Sequence, residues 1–499
     1  MLLLNAPLSL SSVSRSGRRK PTVFVSLPPL PPPRLVFPAR QPVPALLPFP
    51  GVFLPADAAW LRVFTLLPVE ALARAACVSR RFRWLSRRVL LATVEATLVL
   101  RSAMPTPESA VAGVLRAAPS LRALELVASP GAPLTDVICA RVARAAPAQL
   151  ASICLAASPG GVNLVTSAGV LALAATPGVT GLQIDGAAAV ASFTLQAPRL
   201  RRFALRGAAR LSSVHLQCPA LEALDLDLSP SDELSAVPHR AVSPAKSSGA
   251  SFLADEALAG CPALRSLSLC VPGCGDAVAL AIAAAPCAAT LRSLALPHAG
   301  PSLTDAGVSA FIAACPALES FELSGAPAVT FTALESISTA QCAGKLVSIA
   351  MTGCPGLMRS AVSAALPSLR SLTAFDLAHS LVTPPAALAP PRKRSAVSYA
   401  ATQAASQSGA LLLASPSLRC VSLSGCTAVS SLLLNCSSLR GLGLRGAAVQ
   451  DVDFADFEDP APQLRVLDGA NMCCGLQVVT GSEALAKLWG EGVQFRCAM

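Results

Sequence analysis

The residue types that most often do chemistry in enzymes are few in this chain and lie far apart in its sequence. None of the four histidines adjoins a recognisable serine or cysteine nucleophile motif; they are His215, His239, His298 and His379. Nucleophilic and acid–base catalysis need such groups within hydrogen-bond reach of one another. The sequence also lacks a Gly-rich phosphate-binding loop. We therefore predict that the chain has no active site of its own and binds no cofactor.

Cysteine is the other residue type with chemical potential, and its 17 copies do not follow the spacing of a metal site. The close pairs Cys270/Cys274 and Cys473/Cys474 lack a second, well-spaced pair of Cys or His residues, so we predict no metal centre. Three cysteines directly precede a proline of the repeat described next: Cys218, Cys261 and Cys315. This placement predicts small buried thiols in a reducing compartment.

A repeated sequence motif, Pro-x-Leu-x-x-apolar-x-Leu, occurs along most of the chain. It begins at Pro119, Pro198, Pro219, Pro262, Pro316 and Pro416. Its last two apolar residues are two positions apart and therefore face the same side of a strand, while the proline stops the preceding turn from continuing as helix. A unit this short buries its leucines only when it is stacked on neighbours. The motif predicts an α/β solenoid, a leucine-rich-repeat horseshoe with parallel β-strands.

The intervals between repeat leucines predict two kinds of repeat. Leu264, Leu291 and Leu318 follow one another at intervals of 27 residues, which leaves room for a strand and a returning helix. Thr304 or Asp305 can cap such a helix. By contrast, the intervals are only 21 residues from Leu200 to Leu221 and from Leu418 to Leu439, and each encloses a strand-like sequence motif. We expect those repeats to carry strands on both sides of the solenoid.

The composition indicates which partners to expect. The formal charge is +11, but the arginines look scattered over solvent positions of the repeats, and aromatic residues make up only 4% of the chain. Stacking platforms for single-stranded nucleic acid are therefore scarce, and we predict no specific nucleic-acid binding. The apolar stretches at 89–100 and 277–290 are interrupted by Glu95 and Pro286 and fall short of the roughly 20 residues of a membrane span. We predict a soluble chain that does not enter a membrane.

Composition also divides the chain into segments. Residues 1–52 are Pro-rich and contain no acidic side chain, which predicts either a disordered tail or, since Ser and Arg are frequent at its start, an organelle transit peptide. Residues 53–92 have a helical pattern, and the solenoid occupies 93–499. Two insertions without periodic leucines, at about 229–251 and 383–409, are predicted surface loops. The basic run at 392–394 in the second is either a nuclear-import signal or an ordinary solvated loop.

The helical segment at 53–92 resembles an F-box, whose sequence pattern is, in order, Leu-Pro, Ile-Phe, Leu-Pro, Leu and Val-Cys-basic-x-Trp. The matching positions are Leu54, Pro55, Val63, Phe64, Leu67, Pro68, Leu72, Val78, Arg80 and Phe82. The resemblance implies that these residues bind the Skp adaptor. A segment of this size is stable only when its apolar edge is covered by another protein or by the adjoining solenoid. The alternative is therefore a helical cap that shields the first repeat.

Together, the F-box-like segment and the Cys-containing repeats resemble F-box/leucine-rich-repeat proteins of the plant and green-algal type. The resemblance implies a substrate receptor of an SCF-type ubiquitin ligase, present in the cytoplasm or nucleus, that binds Skp and, through it, cullin. Its protein substrate would contact charged residues on the open face of the strands. The candidates are Arg202, Arg206, Asp225, Asp227, Arg265, Arg292, Glu319, Glu322, Arg440 and Arg445.

A second hypothesis keeps the solenoid and drops the ligase. The chain would then be a leucine-rich-repeat scaffold for protein interactions, located in plastids if residues 1–52 are a transit peptide. The charged residues of the strand face are also what any solvated strand surface would carry. Sequence alone does not decide between these hypotheses.

Overall fold

The structure is a computed structural model of the chain. It describes residues 55–67, 69–102, 106–229, 258–271, 273–381, 410–449, 451–454, 466–468 and 494–496. The predicted tail at 1–52, the second insertion at 383–409 and most of the first lie outside these ranges, as do Leu54 and Pro68. Within them, no helix has the length and apolar character needed to cross a membrane.

Helices and strands alternate through most of the chain. The helices are α1 (Pro55–Thr65), α2 (Val69–Val78), α3 (Arg80–Ala92), α4 (Pro107–Ala117), α5 (Asp136–Ala145), α6 (Ser167–Ala174), α7 (Asp276–Ala284), α8 (Asp305–Ala314), α9 (Phe331–Thr339) and α10 (Arg359–Ala365). The strands are β1 (Glu95–Val99), β2 (Ala123–Ala128), β3 (Ser152–Ala157), β4 (Gly181–Ile184), β5 (Ser192–Gln196), β6 (Arg202–Arg206), β7 (Ser213–Gln217), β8 (Ala223–Asp227), β9 (Ser266–Cys270), β10 (Ser293–Leu296), β11 (Ser320–Ser324), β12 (Ser348–Thr352), β13 (Ala374–Asp376), β14 (Ala410–Ala414), β15 (Cys420–Ser422), β16 (Ser431–Asn435), β17 (Gly441–Gly443), β18 (Asp451–Phe454), β19 (Val466–Asp468) and β20 (Gln494–Arg496).

One long parallel sheet organises the molecule. Fifteen described strands pair in the order β1-β2-β3-β4-β6-β8-β9-β10-β11-β12-β13-β15-β17-β19-β20. Each strand pairs with its equivalent one repeat later, so Leu267 lies beside Leu294, and Leu294 beside Phe321. These side chains are buried and form part of one continuous core. The prediction of an α/β leucine-rich-repeat solenoid is confirmed.

The short repeats carry a second layer of strands, as their 21-residue spacing predicted. β5 pairs with β7 in a two-stranded parallel sheet, and β14, β16 and β18 form a three-stranded one. Their inward residues, such as Leu216 and Leu434, complete the core where the longer repeats use a helix. A strand advances about 3.3 Å per residue against 1.5 Å for a helix, so it returns the chain with fewer residues.

An acidic side chain links each of several helices to the next repeat. Thr304 is the N-cap of α8 and accepts a hydrogen bond from the amide of Ala306. Asp305 instead reaches forward, where its Oδ1 accepts a hydrogen bond of 2.7 Å from the amide of Thr330, the N-cap of α9. The same bond joins Asp276 to Thr304. Of the two residues proposed to cap α8, Thr304 does so, and Asp305 serves as an inter-repeat link.

The cysteines that precede repeat prolines are fully buried, as predicted. Burial raises the pKa of Cys261 and of Cys315 to about 12, and neighbouring thiols of adjacent repeats add to this effect. A thiol with such a pKa stays protonated at neutral pH and is a poor nucleophile and metal ligand. These cysteines therefore fill space in the core.

Candidate functional site

The three N-terminal helices form a small module with its own core. Phe64, Leu72, Leu85 and Val89 are buried together. The rings of Phe64 and Phe82 meet edge to face with centroids 5.2 Å apart, a favourable aromatic geometry. The hydroxyl of Ser79 caps α3 by accepting a hydrogen bond of 3.1 Å from the amide of Phe82. This core fixes the directions of the residues predicted to bind an adaptor.

Two of those residues cannot touch a partner while the module is folded. Phe64 and Leu72 are each only 2% exposed, because they form the centre of the helical core. Their assignment as direct Skp contacts is therefore corrected: they hold the module together. Leu67 and Phe82 are half-buried against the same core. The sequence pattern marks all four alike, since it records apolar positions and not the side from which each is covered.

The module nevertheless exposes several large apolar side chains to solvent. Leu66 is 85% exposed and Val78 is 73% exposed, and Val63 and Trp60 are also exposed. Arg80 follows Val78 closely and is exposed as well. Four large apolar side chains are thus exposed on this small module. Pro55 is the first residue of α1.

The module also touches the first repeat. α2 contacts β1, and α3 contacts α4. Leu90 packs against both the helical core and the solenoid core. The interpretation as a cap for the first repeat thus agrees with this side of the module, while Leu66 and Val78 stay uncovered by the described chain. The residues that contact the first repeat therefore differ from the apolar residues that stay exposed.

The predicted substrate contacts lie along the long sheet, at the positions between its buried residues. Arg202 and Arg206 lie on β6, Asp225 and Asp227 on β8, and Glu322 on β11. Arg265, Arg292 and Glu319 immediately precede β9, β10 and β11, and Arg440 and Arg445 flank β17. Between them a column of small side chains crosses four strands, from Ser266 through Ser293 and Ser320 to Ser348. The face is therefore shallow.

Several of these charges are already paired with each other. Arg206 donates to Asp225 Oδ2 at 2.8 Å, and this hydrogen bond raises the arginine's pKa further. Arg292 and Glu319 form an exposed ion pair at 2.9 Å. Asp227 accepts hydrogen bonds from the amide and hydroxyl of Ser229. Five of the ten candidates remain exposed without a side-chain partner among the described residues: Arg202, Arg265, Glu322, Arg440 and Arg445.

Sequence reasoning missed a shallow depression at the far part of this sheet. It has a volume of about 330 Å³ and is lined by residues of β13, β15 and β17, including Asp376 and Cys420. Gly441 and Gly443 stand where other strands carry side chains. Arg419 precedes β15 at the same place that Arg440 holds before β17. The sequence did contain a signal for Arg419 as a further charged residue beside the sheet face, because Arg419 follows a repeat leucine just as Arg265 and Arg292 do.

Two of the described histidines occupy turns with a left-handed backbone. His298 and His379 have φ values of 63° and 58° and occupy turns that follow strands. In other repeats glycine takes this left-handed position, for example Gly325 and Gly353. Within the described ranges, no three His, Cys, Asp or Glu side chains are placed to hold a metal ion.

The net charge of the chain is unevenly distributed between the repeats and the segments that precede them. The tail before Pro55 contains six of the 39 basic residues and α3 contains five, and neither segment has an acidic residue. Removing these eleven leaves 28 basic residues against 28 acidic ones. The entire net charge of the chain therefore resides in the tail and in one helix. The five arginines of α3 are Arg80, Arg81, Arg83, Arg87 and Arg88.

No protein-family model matches the chain, and no curated protein matches its sequence. Among solved structures, it is similar to the crystal structure of the Rad7 and Elc1 complex in yeast. That match has 14% sequence identity, covers 86% of this chain and 94% of the other, and has a TM-score of 0.37. It is also similar to the crystal structure of a TLR13–ssRNA13 complex, with 12% identity, coverage of 75% and 65%, and a TM-score of 0.30. Neither similarity assigns a function at this level.

Proposed function

We propose that the chain is the substrate-recognition subunit of an SCF-type (Skp-cullin-F-box) E3 ubiquitin ligase. The observation that carries the proposal is the exposure of Leu66 and Val78 on a helical module whose core is formed by other residues. The order of residues in that module resembles an F-box, and an open sheet face follows it in the same chain. The expected partners are Skp, cullin through Skp, and a protein substrate.

The energetics of the exposed surface agree with adaptor docking. Covering a large apolar side chain contributes about 1.5–3 kcal/mol relative to leaving it in water. Exposed apolar side chains occur on α1, in the turn that follows it and at the end of α2: Trp60, Val63, Leu66 and Val78. Their burial by a partner would be a substantial part of a binding free energy. Tryptophan and arginine are frequent at the centres of protein interfaces, and Trp60 and Arg80 are both exposed on the module.

The solenoid suits the second half of the task, which is holding a substrate. A receptor accelerates transfer by keeping its target near a reactive thioester, so it needs a binding surface and no catalytic group. The sheet face is long and shallow, with exposed charges such as Arg265, Glu322 and Arg440 at intervals. A shallow face of this kind suits a protein better than a small molecule, which requires an enclosing pocket. We propose the cytoplasm or nucleus as its location.

A pair of surface variants tests the adaptor contact without disturbing the core. Leu66→Asp/Val78→Asp places two charges on the exposed apolar surface, and Val137→Asp/Leu164→Asp does the same at exposed apolar positions of the solenoid. The tagged full chain should co-purify recombinant Skp and cullin. The first variant should lose both proteins and the second should keep them. Equal retention by both variants, or no association of the unaltered chain, would refute the ligase proposal.

The scaffold hypothesis makes a different prediction for the intact chain in cells. A scaffold of plastids would be imported and would lose its N-terminal segment, whereas a ligase receptor would keep that segment outside plastids. A fluorescent fusion at the C-terminus, examined by microscopy and by the mass of the mature N-terminus, separates the two. Import with cleavage would favour the scaffold.

A further inference from the structure

The exposed face of α3 combines several arginines with two apolar side chains. At 100° per residue, Arg80, Trp84, Arg87 and Leu91 lie in one stripe along the helix, with Arg83 and Arg88 on either side. All six are exposed. The opposite side of α3 carries Leu85 and Val89, which are buried in the core of the module. The stripe runs the length of the helix, roughly 20 Å at 1.5 Å per residue.

This arrangement is unfavourable for the isolated helix. Arg80 and Arg83, and Arg83 and Arg87, are three or four residues apart, which places like charges side by side. Arg80 and Arg81 also occupy the first turn, where the helix dipole favours carboxylates, and α3 has no acidic residue there. An anionic surface laid along the stripe would remove both penalties at once.

The arginines of the stripe are not engaged by acidic groups of the solenoid. The side chains of Arg80 and Arg87 make neither an ion pair nor a hydrogen bond in the described structure. Arg83 donates from Nε to the carbonyl oxygen of Ala76 at 3.2 Å and is still exposed to solvent. Three guanidinium groups are thus available along one side of the helix.

The chemistry of the stripe favours an acidic protein over nucleic acid or a membrane. Trp84 could stack on a base, but the guanidinium of Arg88 already lies 5.4 Å from its ring centroid. A membrane-surface helix inserts its apolar side, and here that side is buried in the module. Trp84 and Leu91 are half-exposed apolar groups between the charges. A partner segment with apolar residues among its carboxylates fits both features.

We propose that the α3 stripe is a docking surface for an acidic amphipathic segment of a partner protein. Guanidinium groups bind carboxylates through paired, charge-assisted hydrogen bonds, and Trp84 and Leu91 cover the partner's apolar side chains. The stripe shares Arg80 with the residues proposed to bind Skp, but the inference concerns the charge of the partner, and the peptide test below can fail while Skp still co-purifies with the chain. Association should weaken steeply with salt, since the surface is exposed.

The test uses the full chain and four probes in fluorescence anisotropy. The first probe is a labelled helical peptide with glutamate and leucine at alternate turns, and the second has glutamine in place of glutamate. The others are a duplex DNA oligonucleotide and vesicles of phosphatidylcholine and phosphatidylserine. Arg80→Gln/Arg87→Gln removes two stripe charges, and Arg141→Gln/Arg144→Gln on α5 is the matched control, because those two arginines are also exposed, close together on one helix and without an ion pair in the described chain. Thermal melting verifies that both variants fold.

We expect the glutamate peptide to bind the unaltered chain, and the stripe variant to bind it about tenfold more weakly. The control variant should stay within about twofold, and the glutamine peptide should bind poorly to all three proteins. Equal affinity for the two peptides, an equal loss in the control variant, or no binding of the glutamate peptide would overturn the proposal. Tighter binding of DNA or vesicles that is lost in Arg80→Gln/Arg87→Gln would overturn it in favour of those ligands.

Discussion

Asp305 in one repeat accepts hydrogen bonds from the amide and the hydroxyl of Thr330 in the next. The bonded residues are the first residue of α8 and the N-cap of α9, so the contact fixes the angle between successive helices. Asp136 and Thr166 make the same contact in an earlier repeat. The solenoid is therefore held by specific polar links in addition to its apolar core.

Removing this link should loosen one junction of the solenoid. Asp305→Ala leaves the amide of Thr330 without its acceptor, and we expect a local loss of about 2 kcal/mol. Hydrogen exchange at the start of α9 measures that loss directly. Glu335→Gln, which removes a charge from the exposed side of α9, is the control and should leave the exchange unchanged. Equal exchange in Asp305→Ala and the unaltered chain would show that the link is not stabilising.

The same link should depend on pH. Burial alone would raise the pKa of Asp305, but hydrogen bonds from Thr330, Thr332 and two backbone amides lower it below the usual value. Because the folded-state pKa is depressed, the stabilisation is present above the unfolded pKa of about 4 and is lost as pH falls below it. The stability difference between the unaltered chain and Asp305→Ala should therefore shrink on acidification.

A glycine in α8, Gly307, makes room for one of these linking aspartates, Asp276. A Cβ at Gly307 would overlap Oδ1 of Asp276, whereas a Cβ at Gly113 in α4 would meet nothing within 4 Å. Gly307→Ala should therefore destabilise the chain by about 1–3 kcal/mol, by overpacking. Gly113→Ala should stabilise it by up to about 1 kcal/mol, because alanine has the better helix propensity. Urea unfolding midpoints compare the two. A gain in stability from Gly307→Ala would contradict the geometry.

The thiols should differ sharply in reactivity. Cys420 is exposed in the sheet-face depression, whereas burial raises the pKa of Cys261 and Cys315 to about 12. Brief treatment of the native chain with iodoacetamide near neutral pH should alkylate Cys420 and spare the other two, with all three modified in denaturant. Peptide mass spectrometry reads each site separately. Early modification of Cys261 would show that its repeat opens readily.

Phe64 and Leu66 should behave as core and surface residues. Phe64→Ala removes the centre of the helical core and should cost about 3–5 kcal/mol, which would unfold the module. Leu66→Ala should change stability by less than about 0.5 kcal/mol. Limited proteolysis of the full chain, followed by the mass of the N-terminal fragments, distinguishes the outcomes. Resistance of Phe64→Ala equal to that of the unaltered chain would contradict the assigned core.

Much of the fold could be predicted from spacing. The repeat motif that begins at Pro262 places Leu267 and Leu269 on one side of a strand, and stacking such strands produces a periodic core. The 21-residue interval after Leu418 left no room for a helix, and the structure has β16 there. Local geometry alone was sufficient for both predictions.

The candidate site was harder to predict, because it depends on contacts between distant residues. Phe64 and Val63 are neighbours in an apolar pattern, yet only packing against α3 decides that one is buried and the other exposed. Likewise, the pairing of Arg292 with Glu319 requires the register of two strands. Sequence identifies the residue types of a surface, while the tertiary structure determines which of them remain available.

Hydrogen–deuterium exchange of the full chain, with and without purified Skp adaptor, locates the adaptor contact. If Skp binds the helical module, exchange should slow across α1, the following turn with Leu66, and the end of α2 at Val78, while the sheet face of the solenoid stays unchanged. Unchanged exchange throughout the helical module at saturating Skp, or protection confined to the solenoid, would contradict that contact.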